Sequence, residues 1–67
     1  MQTTHEFQQL IELAIREERK AQELYRNMAS RTDDPFVRAI LEGLCEQEVA
    51  HEEKLRSLLE SVEPVTV

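Results

Sequence analysis

Ser30-Arg31-Thr32-Asp33-Asp34-Pro35 is the stretch on which the fold turns. Asp34 is a good N-cap, and Pro35 suits the first helical position, where its missing N–H costs nothing. One helix must therefore end near Ala29 or Ser30, and another must begin at Pro35. Working outward, both flanks carry a seam whose members recur at alternating spacings of four and three. Before the break it runs Phe7, Ile11, Ala14, Glu18, Ala21, Tyr25 and Met28. After it come Val37, Leu41, Leu44, Glu48, His51, Leu55, Leu58 and Val62. Thr3 to Glu6 has the spacing of a capping box and opens the first helix, while Pro64 stops the second. The expectation is one all-α domain over residues 1–67, an antiparallel two-helix hairpin with helices at about 4–30 and 35–61 and a short tail over 62–67.

Composition narrows the function. The chain has 67 residues, one glycine, two prolines and one cysteine, with 14 acidic against 8 basic residues for a net charge of −6. A chain so short buries little apolar surface alone and leans on disulfides, a metal or partner chains. Cys45 by itself makes neither an internal disulfide nor a cysteine-rich zinc site, which leaves metal with other ligands, or oligomerisation. The acidic balance argues against nucleic acid, which calls for clustered Lys and Arg. No apolar run is long enough for a membrane span or a secretory signal, so the expected compartment is the cytoplasm or one reached from it. Leu10, Leu13, Leu24, Ile40 and Leu59 widen the stripes beyond what one hairpin covers. That surplus predicts a homodimer forming a four-helix bundle.

Each seam is apolar except at Glu18 on one helix and at Glu48 and His51 on the other. A turn at Thr32-Asp33 sets Glu18 opposite Glu48, and His51 lies almost one helical turn further along the same face. Two carboxylates and an imidazole thus converge at one level. Charge in a bundle interior is costly unless it is paired, protonated or bound to metal. Tyr25, the only tyrosine, lies two turns from Glu18, and its side chain leans toward that level. Cys45 reads as a small packed residue, and Gly43 as a point of close helix approach. His5, at a helix start, reads as solvated. Glu12, Glu23, Glu42, Glu46, Glu53 and Glu60 fall mostly off the seam and form a solvated face with Arg and Lys.

The run from Ala14 through Glu18 and Ala21 to Tyr25, followed by Glu48-Val49-Ala50-His51, resembles the ferritin-like diiron carboxylate proteins. Its spacings are most similar to the two-helix encapsulated ferritins, or half-ferritins, and its sequence style is similar to the rubrerythrins. The resemblance covers about residues 7–60. A ferritin-like bundle takes one Glu from each of two helices and a Glu-x-x-His from each of the other two, so this hairpin holds half a set. The resemblance implies a diiron ferroxidase site shared by two subunits, with Glu18, Glu48 and His51 as metal ligands and Tyr25 as a hydrogen-bonding or redox neighbour. By analogy Glu48 bridges, while Glu18 and His51 are terminal. Two divalent ions per dimer would balance the four carboxylates of two chains. Such ligation suits iron or manganese, with zinc or cobalt as substitutes.

The same resemblance implies a ring of dimers such as a decamer, and an encapsulin-type shell that would place the protein inside a nanocompartment. Glu17 matches an acid of the outer metal-uptake point of encapsulated ferritins. Lys20 and Leu24 stand where another acid and a tryptophan would be, so a similar uptake point is not expected. Rubrerythrins add a four-cysteine iron domain, for which these residues have no counterpart. The expected activity is accordingly oxidation of Fe²⁺ to Fe³⁺ in iron storage or detoxification. The alternatives are a rubrerythrin-like peroxide scavenger and a non-catalytic dimerisation or docking hairpin.

Overall fold

A computed structural model describes residues 5–62, and among them the chain is all-helical. Helix α1 spans His5–Ser30 and helix α2 spans Pro35–Val62. Thr3 of the expected capping box, Pro64 and most of the tail lie outside the described residues. The two helices run antiparallel, as the contacts of Gln8 with Val62 and of Glu18 with His51 require.

The connection does what its residues dictate. The Asp34 carboxylate accepts from the backbone N–H groups of Phe36 at 2.9 Å and Val37 at 3.3 Å, satisfying two donors that a helix start leaves unpaired. Thr32 Oγ1 accepts from the Asp34 N–H at 3.2 Å, tightening the turn. From the first turn of α2, Arg38 reaches back across the connection. Its guanidinium donates to the carbonyls of Thr32 at 2.6 Å and Ala29 at 3.4 Å, which caps the end of α1 with a positive charge.

The helices meet along one flank of each stripe. Ile11, Ile15, Leu41 and Cys45 are the buried apolar residues, and Gln22 is buried among them. The expected centre line is therefore displaced: Ile15, Gln22 and Cys45 lie beside the predicted seams yet are buried along with the seam members Ile11 and Leu41. Met28, Val37 and Leu58, predicted seam members, remain exposed. The reason is geometric. A seven-residue repeat marks the middle of an apolar stripe, and two helices in contact cover only the side of it that faces the neighbour. The other side stays open, with Leu10 60% exposed, Leu24 58% and Ile40 50%. Gly43 also departs from expectation. Nothing lies within 4 Å of where its Cβ would stand, so it marks no close approach. Cys45 is packed as expected. No described helix is long and apolar enough to cross a membrane.

Candidate metal centre

Glu18 is brought to its place by α1, one turn beyond the buried Ile15. Glu48 and His51 are carried by successive turns of α2, beyond the buried Cys45. The packing of those apolar neighbours sets the level at which the three meet. His51 Nδ1 lies 3.6 Å from Glu18 Oε2 and 3.7 Å from Glu48 Oε1. One ligand atom from each residue lies within 4.8 Å of the others, an arrangement able to hold a metal ion. Among the described residues this is the only such group of three or more His, Cys, Asp and Glu.

The cluster is electrostatically unfinished. Glu18 Oε2 is buried and has no hydrogen-bond partner. Hydrogen bonding to the Glu48 carboxylate raises the affinity of Glu18 for its proton, burial and the charge of Glu48 add to this, and His51 opposes it. The Glu18 carboxyl is thus held above its ordinary range. Two carboxyl groups side by side, one of them with a buried oxygen that has no hydrogen-bond partner, form a site short of positive charge. Hard carboxylate oxygens beside an imidazole nitrogen are also the donors that divalent iron and manganese take. The residues therefore fit a metal, both by donor chemistry and by the orphaned oxygen. His51 is the most open of the three, its side chain half exposed.

Tyr25 is half-buried and lines a groove of about 430 Å³ on the turn side, together with Arg26, Leu41, Glu42 and Cys45. His5 is exposed, its ring nitrogen 3.3 Å from the Gln9 amide.

Two residues that the sequence pattern does not single out sit directly beside the site. Gln22 donates its amide N–H to Glu52 Oε1 at 2.9 Å and toward the Glu48 carbonyl at 3.5 Å. Glu52 Oε2 accepts from Arg56 at 2.8 Å and from Arg19 at 3.1 Å. Arg56, then Gln22 and, less strongly, Arg19 hold the Glu52 carboxyl down at about 2 against the opposing effect of burial. The signal that could have found them is helical spacing: Gln22 is one turn after Glu18, and Glu52 one turn after Glu48.

A family model described as Rubrerythrin matches residues 1–66. No curated protein and no solved structure matches the chain.

Proposed function

The chain belongs to the rubrerythrin family, and from that premise we propose that two copies build a ferritin-like four-helix bundle around a diiron site that oxidises Fe²⁺ to Fe³⁺. The observation that carries this reading is the orphaned, buried Glu18 Oε2 beside a second carboxylate and an imidazole. A hairpin serving only to dock another protein has no use for that oxygen, because an unpaired buried acceptor costs about 1–3 kcal/mol.

Glu18, Glu48 and His51 of each copy would hold the ions, and iron bound there supplies one-electron redox chemistry that the side chains lack. Glu48 and burial raise the affinity of Glu18 for its proton, and a cation held there would favour the ionised form of both carboxylates as ligands. His51, already half exposed, lies where an incoming ion first meets a donor. Fe²⁺ is the substrate: two ions would give up two electrons, and one hydrogen peroxide with two protons would take them as two waters, or dioxygen with two protons as hydrogen peroxide. The apolar walls limit water around the carboxylates. Tyr25 is assigned the part of a hydrogen-bonding or redox neighbour from the turn side. The open flank with Leu10, Ile40 and Leu58 supports a second copy as the element that completes the site. A ring of dimers and an encapsulin-type shell belong to this proposal by resemblance alone.

Peroxide scavenging is the second reading, favoured by the family match. It calls for an electron donor beyond these 67 residues, which hold a single cysteine. Anaerobic loading with Fe²⁺ followed by oxygen, watched by ferric absorbance, tests the choice. Uptake of about one ion per chain and rapid oxidation are expected. Iron that turns over only with peroxide and an outside donor would favour the second reading. Protein that takes up no iron would leave only the docking hairpin.

A further inference from the structure

The site works only if α1 and α2 meet in one register, and apolar seams do not choose it. Sliding one helix along the other by a turn, about 5.4 Å, sets apolar residues against apolar residues again. It also parts Glu18 from Glu48 and His51. Something polar must therefore discriminate between the registers, because polar partners are matched one to one while apolar surfaces are interchangeable.

Gln22 is placed to do this. It is a polar side chain in the core, 6% exposed, on the turn of α1 that follows Glu18. Its amide grips the turn of α2 that carries Glu48 and His51, through Glu52 Oε1 at 2.9 Å and the Glu48 carbonyl at 3.5 Å. Its own carbonyl accepts from the Cys45 thiol at 3.7 Å, on the turn before Glu48. Glu52 is fixed in turn by Arg56 from its own helix and by Arg19 from α1. These contacts reach α2 on the turns before and after Glu48. A one-turn slip removes Gln22 from both acceptors and Arg19 from Glu52, and an amide buried without acceptors costs about 1–3 kcal/mol.

We propose that Gln22, backed by Glu52, is the register lock of the metal site, a positioning residue that holds Glu18 level with Glu48 and His51 without touching the ion. The inference rests on the metal site proposed above. It predicts that the lock is separable from the fold. Replacing a buried polar pair by apolar groups of similar size often leaves stability unchanged, whereas loss of an outer partner weakens metal binding.

The test uses the full chain with Co²⁺ as probe. For Gln22→Leu the expected result is wild-type helicity and a metal-free melting temperature near that of the wild type. The Co²⁺ dissociation constant should rise about 10- to 100-fold, with an altered visible ligand-field spectrum. In the metal-free protein, proton–proton nuclear Overhauser contacts between the Glu18 and His51 side chains should weaken or divide into two sets. Glu52→Leu takes the 2.9 Å acceptor from the buried Gln22 amide, so it should lower the metal-free melting temperature while repeating the loss of Co²⁺ affinity and the altered spectrum, which guards against a Gln22 variant that does not fold. Wild-type affinity, spectrum and Glu18–His51 contacts in both variants would overturn the lock while leaving the metal site standing. A wild-type protein that binds no Co²⁺, or whose binding is untouched by Glu48→Ala, would overturn the metal site and the lock with it.

Discussion

Glu18 and Glu52 project from facing helices at nearly the same level of the hairpin, and they meet opposite fates. The Glu52 side chain is the better covered of the two, 14% exposed against 23% for Glu18. On burial alone Glu52 should hold its proton more tightly. Instead its carboxyl is held down at about 2, while that of Glu18 is held above its ordinary value of 4.5. Partners decide the matter. Two guanidinium groups and an amide complete Glu52 within the protein, whereas Glu18 faces another acid and an imidazole. One flank of the hairpin is chemically closed and holds structure. The other keeps a buried oxygen without a hydrogen-bond partner.

The largest effect separating the flanks concerns iron. Glu18→Ala or His51→Ala should slow iron oxidation by about 100-fold or more in stopped-flow absorbance, and the double variant should be scarcely worse, since ligands acting as a unit are not additive. Full activity in His51→Ala would break the contrast outright.

Next in size is metal-dependent stability. An ion present at 100 times its dissociation constant adds about 2.7 kcal/mol, which for a domain of this size is roughly 10 °C or more. Calorimetry on chelated protein should show such a rise with Mn²⁺ or anaerobic Fe²⁺, and none in Glu48→Ala. An equal rise in that variant would place the ions on the acidic surface.

The pH dependence of the metal-free protein should carry opposite slopes from the two carboxyls. Glu52 has a depressed folded pKa, so its contribution is present above its unfolded value near 4.5 and is lost as pH falls toward 2. Glu18 is raised, so the folded state binds its proton more tightly, and stability falls as pH rises above 4.5 through its titration. In thermal melts, Glu52→Gln should flatten the acid limb and Glu18→Gln the limb above it. A Glu18→Gln protein that keeps the upper slope would assign that slope elsewhere.

The smallest effect sharpens the contrast by its absence. Glu23 is exposed and outside the cluster. Glu23→Ala should change unfolding free energy by no more than about 0.5 kcal/mol and keep most of the oxidation rate. Loss of the reaction in this variant would credit bulk acidity with handling the iron.

The fold is legible in the sequence because its decisive signals are local. Asp34-Pro35 caps and starts a helix wherever it occurs, and the seams repeat on the helical period. Glu18, Glu48 and His51 are legible for a related reason, being polar interruptions in otherwise apolar seams. Gln22 and Glu52 are not, since neither interrupts the predicted seams and glutamate is abundant throughout the chain. Their importance lies in which partners meet across the hairpin, and a one-dimensional pattern does not contain that pairing. The displacement of the contact line toward Ile15 and Cys45 is hidden likewise, because periodicity locates an apolar stripe without saying which edge the first neighbour takes. Gly43 misleads for the opposite reason: a missing side chain suggests proximity, but the structure leaves that face open.

The short connection between Ser30 and Pro35 also sets an order in time. Contacts next to a turn close the smallest loops, and each later pair adds only a little further entropy, so an antiparallel hairpin zips outward from its bend. The Arg38 clasp on Ala29 and Thr32 comes first, and the meeting of Cys45 with Gln22 follows. Glu18 reaches His51 after that, and Gln8 joins Val62 last, at the far end. The donors therefore assemble midway along the zipper, behind the step at which Gln22 engages α2. Loop closure of this kind would set the alignment before the three donors meet, and loss of the contact between Gln8 and Val62 would leave the donors undisturbed.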